Sequence, residues 1–432
     1  MKSRNFLLNA ALMLASTLLT VAALFGIGEV ALRWKFGALP PGSPPEMMSY
    51  DERRGWSLRP GDYSYFEVKA MRSVHISINE LGLRNAPFAR ESAPRRQRIT
   101  LLGDSFVFGA PLDAAMTIPA RLQQLAGDAF EVLNVGILGY GTGQEYRLVE
   151  DLHAKGYALG SKVVLEFFTN DILDNLGLLY ANERNPLQPV FSIDRDGNLR
   201  EIPGRPPRLH ARTSGGSLFT SYVRYQLEVL AVSHPRLLAA LQAIGLTPAL
   251  PRTPGVIAGW YGSGWESSWQ LTAGLVERLV GLLRGLPEAP QVFIAFVPSP
   301  FQIHESFQRI VAAAAATDER CASFLADPDR PQRVLEALAR RLDAPFIDLT
   351  PALRRSAKTV LYFPREGHFN QAGAAIAAQA LYERVIAREE NRGAARARAA
   401  RARRRHCLCR RSARLSQGSP ARSPSTPGWS AE

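Results

Sequence analysis

The residues of this chain whose types and spacing can do chemistry fall in four short polar motifs. Gly103-Asp104-Ser105-Phe106 places a hydroxyl directly after an apolar run at 99–102, where glycine allows a tight exit and serine can present its oxygen as a nucleophile. Asn134-Val135-Gly136-Ile137-Leu138-Gly139-Tyr140-Gly141 offers glycines whose main-chain amides can approach a substrate oxygen closely. Phe168-Thr169-Asn170-Asp171 offers a carboxamide able to donate to a developing oxyanion. Glu366-Gly367-His368-Phe369-Asn370 offers an imidazole, the base a serine nucleophile needs, and such a base needs a carboxylate to fix its tautomer. Taken singly, each motif has a plain structural use: a helix cap, a glycine turn, an Asx turn, a solvated loop histidine. No Lys-Ser or Lys-Thr follows the glycines, so a phosphate cradle is not indicated.

Among the other histidines, His75 falls in an expected strand, His153 in an expected helix, His210 and His234 in a long insertion and His406 in the tail. His304, beside Glu305 and after the fourth expected strand, is the one rival to His368. A short loop before a last helix favours His368.

The elements that must position these groups are read from periodicity. Short apolar runs at 99–102, 130–135, 163–168, 292–297 and 346–349 alternate with helical patterns at 118–125, 144–155, 271–283, 332–341 and 371–388. This rhythm predicts an α/β fold, a flavodoxin-like three-layer α/β/α sandwich around a five-stranded parallel sheet. Ligands of such sheets bind outside the carboxyl ends of the strands, and each of the four motifs follows its own strand there. The interval from 171 to about 291 breaks the rhythm and is expected to be an insertion with structure of its own, overhanging the active-site edge. Residues 218–241 suggest one or two helices in it, whereas 185–213 and 248–264 carry the composition of loops. Trp260, Tyr261, Trp265 and Trp269 read more readily as packing than as a sugar-stacking platform.

The two ends of the chain are distinctive. Residues 6–24 are almost wholly apolar, long enough to cross a bilayer as a helix, and follow Lys2 and Arg4, which predicts an uncleaved anchor with the remainder exported, a cleaved signal peptide being the competing reading. The formal net charge is +13, but the 11 arginines and single glutamate of 391–432 contribute +10 of it. The basic character therefore belongs to a low-complexity tail expected to be disordered, and a nucleic-acid partner is not indicated. The three cysteines, Cys321, Cys407 and Cys409, form neither a disulfide framework nor a metal-ligand spacing, and no metal or organic cofactor is expected. The expected organisation is an anchor at 1–36, a stalk and short β-containing segment at 37–97, a catalytic domain at 98–388 with its insertion at about 172–290, and the tail at 389–432.

Together the four motifs resemble those of the SGNH/GDSL hydrolase superfamily, over roughly 98–180 and 291–388. The resemblance implies Ser105 as nucleophile, His368 as general base and Glu366 as the acid orienting it. It also implies an oxyanion hole from the N–H of Ser105, the N–H of Gly139 and the side chain of Asn170. Arg365 stands where the commonest last block has aspartate, Glu366 stands for the aspartate of an Asp-Gly-His variant, and Phe168 stands where glycine is usual. The anchor, Gly55-Trp56, the stretch Ile78-Asn79-Glu80-Leu81-Gly82 and the pairing of Asn170-Asp171 with Asp174-Asn175 resemble bacterial anchored members found with envelope-polysaccharide systems. That resemblance implies a single-pass inner-membrane protein with a periplasmic catalytic domain acting on an acylated glycan or lipid. Three activities stay open on the sequence: ester hydrolysis, acyl transfer to a sugar hydroxyl through the same covalent intermediate, and ligand binding without turnover.

Overall fold

A computed structural model describes residues 2–36, 44–180, 183–184, 188–194, 196, 198–204, 217–233, 254–364 and 366–387. The chain divides into two units, Met1–Tyr382 and Glu383–Glu432. Of the second, only the end of the helix Gln371–Val385 and two residues beyond it are described, so the arginine-rich tail lies outside the described residues.

Thirteen strands are described. An amino-terminal segment forms two antiparallel hairpins, β1 (Met48–Asp51) with β2 (Gly55–Leu58) and β3 (Gly61–Glu67) with β4 (Arg72–Ile78). The central sheet contains β5 (Gln97–Gly103), β6 (Phe130–Gly136) and β7 (Lys162–Phe168). The insertion contributes β8 (Leu178–Tyr180) paired with β9 (Glu183–Arg184), and β10 (Val190–Ile193) paired with β11 (Leu199–Ile202). The central sheet is completed by β12 (Gln291–Val297) and β13 (Phe346–Asp348). Its order is β13-β12-β7-β5-β6, parallel throughout. Counted along the chain this is 2-1-3-4-5, the flavodoxin-like winding, with its switch point between β5 and β7. Val163, Val164, Leu165, Phe167, Ile294, Phe296 and Val297 are all buried. Helices covering both faces of the sheet explain why these strands read as unbroken apolar runs rather than as alternation.

The insertion departs from expectation in two places. Within 248–264, Gly255–Tyr261 is helical, not loop, because Ile257 and Trp260 bury completely on one face and Gly259 lets Ile172 and Leu173 pack against its backbone. Within 185–213, β10 and β11 form a hairpin joined by an Asp194 turn, whose carboxylate accepts from the N–H of Asp196 and of Asn198. The helix expected at 271–283 begins six residues earlier, at Trp265, because Trp265 and Trp269 extend its buried stripe toward Trp260. Leu218–Ser233 is helical as read, and the rest of 218–241 lies outside the described residues. At the amino terminus a single helix runs Lys2–Phe36, within which Leu12–Phe36 is long and apolar enough to cross a membrane.

Candidate active site

Ser105 opens a four-residue helical turn, Ser105–Phe108, immediately after β5. Asp104 caps this turn, its Oδ1 accepting the N–H of Phe106 at 2.8 Å. His368 arrives from the other end of the domain, in the loop before the helix Gln371–Val385. There Asn370 Oδ1 accepts the N–H groups of Ala372 and Gly373 and starts that helix. Phe363 donates its N–H to His368 O at 2.9 Å, and its own carbonyl accepts from Glu366 and Gly367, so the loop is a closed hairpin held at both ends.

Inside this hairpin Gly367 has φ +89°, a conformation that costs side-chain-bearing residues free energy. The reversal brings a carboxylate two positions back onto its own histidine. Glu366 Oε1 lies 2.5 Å from His368 Nδ1, and Oε2 accepts the His368 N–H at 3.0 Å. With Nδ1 facing a carboxylate, Nδ1 carries the proton and Nε2 is left to accept. Ser105 Oγ lies 2.5 Å from Nε2 and donates to it. Burial pushes the imidazole pKa down, but the charge of Glu366, its hydrogen bond, and the charges of Asp104 and Glu67 outweigh burial and hold it above the usual histidine value. Phe106 packs its ring 4.8 Å from His368, 4.4 Å from Phe168 and 4.9 Å from Phe369, which shields the imidazole from water. Phe168 is thus part of a packed aromatic layer and is buried.

On the oxyanion side, Asn170 follows β7 and donates through Nδ2 to Asp174 Oδ2 at 2.7 Å. Gly139 sits in the turn after β6 at φ +71°. Trp56 braces that turn from both sides: its Nε1–H donates to Leu138 O at 3.0 Å and its carbonyl accepts the Tyr140 hydroxyl at 2.5 Å. Among the described residues, the main-chain N–H groups of Ser105 and Gly139 are bonded to no protein acceptor. Replacing Asn170 with alanine is expected to lower kcat about 100-fold, near the 3 kcal/mol of one oxyanion donor, with KM little changed. Steady-state kinetics with a chromogenic ester check this, and an unchanged kcat would reduce Asn170 to an Asx turn.

His304 is not at the site. It is buried, its Nε2 accepts the Leu361 N–H at 3.3 Å and its Nδ1–H donates to Ala357 O at 3.2 Å, bracing the approach to the His368 loop. Burial, only partly offset by the Ala357 hydrogen bond, lowers its pKa and keeps it neutral. Trp260 is likewise structural: it is buried, donates from Nε1 to Thr169 O at 2.8 Å and packs against Trp265 and Trp269 behind the end of β7.

Several residues that shape the site give no local signal in the sequence. Arg84 is buried and donates to the carbonyls of His75, Phe108, Gly109 and Leu112, stapling the turn that follows the nucleophile to the amino-terminal hairpins. Burial pushes its pKa down to about 10, so it stays charged at neutral pH. Arg84→Ala strands these carbonyls and is expected to destabilise the fold by about 3 kcal/mol or more. A urea titration will show a lowered midpoint with unchanged slope; an unmoved midpoint would refute the staple.

Glu145, Glu166 and Asp171 are buried beneath the strand ends, and Asp104 and Asp174 belong to the same electrostatic cluster. Burial first, and mutual repulsion second, raise the pKa values of Glu145, Glu166, Asp171 and Asp174 well above the ordinary carboxylate range. A group whose folded pKa is raised stabilises fully below its unfolded pKa of about 4, and that stabilisation is lost as pH climbs through the folded pKa. Thermal stability is therefore expected to fall as pH rises from about 5 to 8, and Glu166→Gln to flatten that fall. Melting curves across this range that stay level in the unaltered protein would contradict it.

The fold and the site define an α/β/α domain that carries a Ser–His–Glu arrangement at its switch-point edge. No protein-family model and no curated protein matches the chain. Solved structures similar to it include a carbohydrate acetylesterase family member from Sinorhizobium meliloti, at 16% identity over 67% of this chain and 97% of that one, TM-score 0.33. A member of the lipolytic G-D-S-L family from Veillonella parvula matches at 14% identity over 67% and 98%, TM-score 0.30. TesA matches at 14% identity over 67% and 98%, TM-score 0.34. At such similarity the chemistry is read from the distances within this chain.

Proposed function

We propose that this chain is a membrane-anchored serine esterase of the SGNH type, acting on acyl esters, acetyl foremost, of an envelope glycan or lipid on the outer side of a bacterial inner membrane. The observation that carries the reading is the continuous hydrogen-bonded line from Ser105 Oγ through His368 to Glu366. In the proposed reaction Ser105 Oγ attacks the ester carbonyl carbon while its proton passes to His368 Nε2, and Glu366 stabilises the imidazolium. The N–H groups of Ser105 and Gly139 and the amide of Asn170 receive the oxyanion. The alcohol leaves with the proton from Nε2. Water then attacks the acyl-serine and gives a proton to the same nitrogen; the C–Oγ bond breaks, the acid is released and Ser105 Oγ takes the proton back from Nε2.

A Glu in place of the usual aspartate leaves this line unbroken, which weighs against a binding protein without turnover. Labelling with a fluorophosphonate probe tests the point directly. The unaltered protein is expected to label at Ser105, and Ser105→Ala to stay unlabelled. A protein that never labels, while binding acylated oligosaccharides, would favour the binding reading.

A further inference from the structure

The last turns of the amino-terminal helix have two unlike sides. On one side Phe25 meets the ring of Phe219 edge-on at 5.2 Å, and Gly28 lies under the same ring, where an added Cβ would come within 2.4 Å of it. Glu29 accepts hydrogen bonds from Ser217 Oγ at 2.9 Å and from the N–H groups of Leu218 at 3.3 Å and Phe219 at 2.9 Å. It thereby caps the helix Leu218–Ser233 of the insertion, and Arg33 balances its charge at 2.8 Å. Further along this side Leu32 is buried and Phe36 packs 4.8 Å from Phe66. The opposite side of the same turns carries Ile27, Val30 and Trp34, which are 67%, 68% and 88% exposed and form an apolar face with Gly26 and Ala31.

The 35 residues of this helix rise about 52 Å, well beyond the roughly 30 Å of a bilayer's hydrocarbon core. The 25 residues of Leu12–Phe36 rise about 37 Å, which fits that core plus part of one headgroup layer. That placement sets Trp34, flanked by Arg33 and Lys35, at the membrane–water boundary, where tryptophan and basic side chains are favoured. The exposed apolar side of the exit turns then has lipid to face, and the docked side has protein. A carboxylate at such depth needs partners, and the N-terminus of the insertion helix supplies them.

We infer that the helix Leu218–Ser233 is a membrane-interface element, fastened at Glu29 to the anchor, and that it seats the catalytic domain directly on the lipid surface. The inference rests on the anchor spanning the membrane. Val223 and Leu230, 40% and 46% exposed and seven positions apart on one face, are the apolar side chains of that helix suited to the boundary between headgroups and acyl chains. The insertion thus joins the active-site domain to the bilayer as well as extending it. Acyl esters carried on membrane lipids are the substrates such seating brings within reach.

The test uses the full chain in phosphatidylethanolamine–phosphatidylglycerol vesicles, with Cys407→Ser and Cys409→Ser to leave only the buried Cys321. A nitroxide is attached in turn at Val223→Cys, at Val30→Cys as the lipid-facing reference and at Ile202→Cys, 58% exposed on β11, as the water-facing reference. Collision with oxygen relative to a nickel chelate is expected to be several-fold higher at 223 than at 202, and to approach the value at 30. Glu29→Ala is expected to bring 223 down toward 202. A water-like value at 223 beside a lipid-like value at 30 would overturn the seating and leave the anchor standing. Water-like values at all three positions would overturn the anchor as well.

Discussion

Ser105→Ala and His368→Ala are each expected to lower kcat for hydrolysis of a p-nitrophenyl acetate-type ester by about 10⁴- to 10⁶-fold, and the double variant to fall little further. The non-additivity follows from the geometry. Ser105 Oγ is 2.5 Å from Nε2, so attack and proton transfer are one event and either loss removes it whole. Both side chains are held from behind, Ser105 by its place in a buried turn and His368 by its closed hairpin, so the variants are expected to fold. The checks are kcat, KM and a melting curve for each variant. Wild-type rates in both would dismiss Ser105 and His368 as nucleophile and base.

The second large effect is expected at Glu366. Glu366→Gln keeps the size of the side chain but removes the charge, and should lower kcat by about 10³- to 10⁴-fold, as loss of the orienting acid does in other serine hydrolases. It should also move the pH profile. His368 works as a base only when neutral, so kcat/KM rises with pH through its pKa, which lies above the ordinary value of about 6.5. Without Glu366, burial is less opposed, and the rising limb is expected to shift to lower pH in the residual activity. Glu366→Asp, a methylene shorter, retains the charge and should recover part of the rate. An unmoved limb would pass that role to Asp104 or Glu67, the other carboxylates whose fields reach His368.

Much of the fold was legible because its signals are local. The apolar runs of β5, β7 and β12 are buried on both faces and so stand out by composition, and the first three chemical motifs sit at the carboxyl ends of β5, β6 and β7, whereas the His368 motif lies beyond β13 and the helix Thr350–Arg355. The insertion was harder to read. Gly255–Tyr261 has the glycines of a loop, and its helicity comes from Trp260 burying against Thr169 and the residues after β7, partners far away in the chain. The structural use of His304 had the same origin, since its partners Ala357 and Leu361 lie 53 and 57 positions away in the chain.

Residue types and their order after the strands pointed to Ser105, Asn170 and His368, because such polar motifs are local, whereas Gly139 and Glu366 came from the resemblance to the SGNH/GDSL superfamily. Whether those groups meet was for the tertiary structure to decide. Ser105 and His368 stand 263 positions apart, and only the 2-1-3-4-5 winding brings the helical turn Ser105–Phe108 under the last loop. The supports that set the site's geometry, Trp56 behind Gly139, Arg84 behind the nucleophile turn and the buried acids beneath the strand ends, are long-range contacts of residues that look ordinary in one dimension. The same holds for Glu29, which reads as a flaw in an apolar helix until the helix Leu218–Ser233 is seen to begin against it.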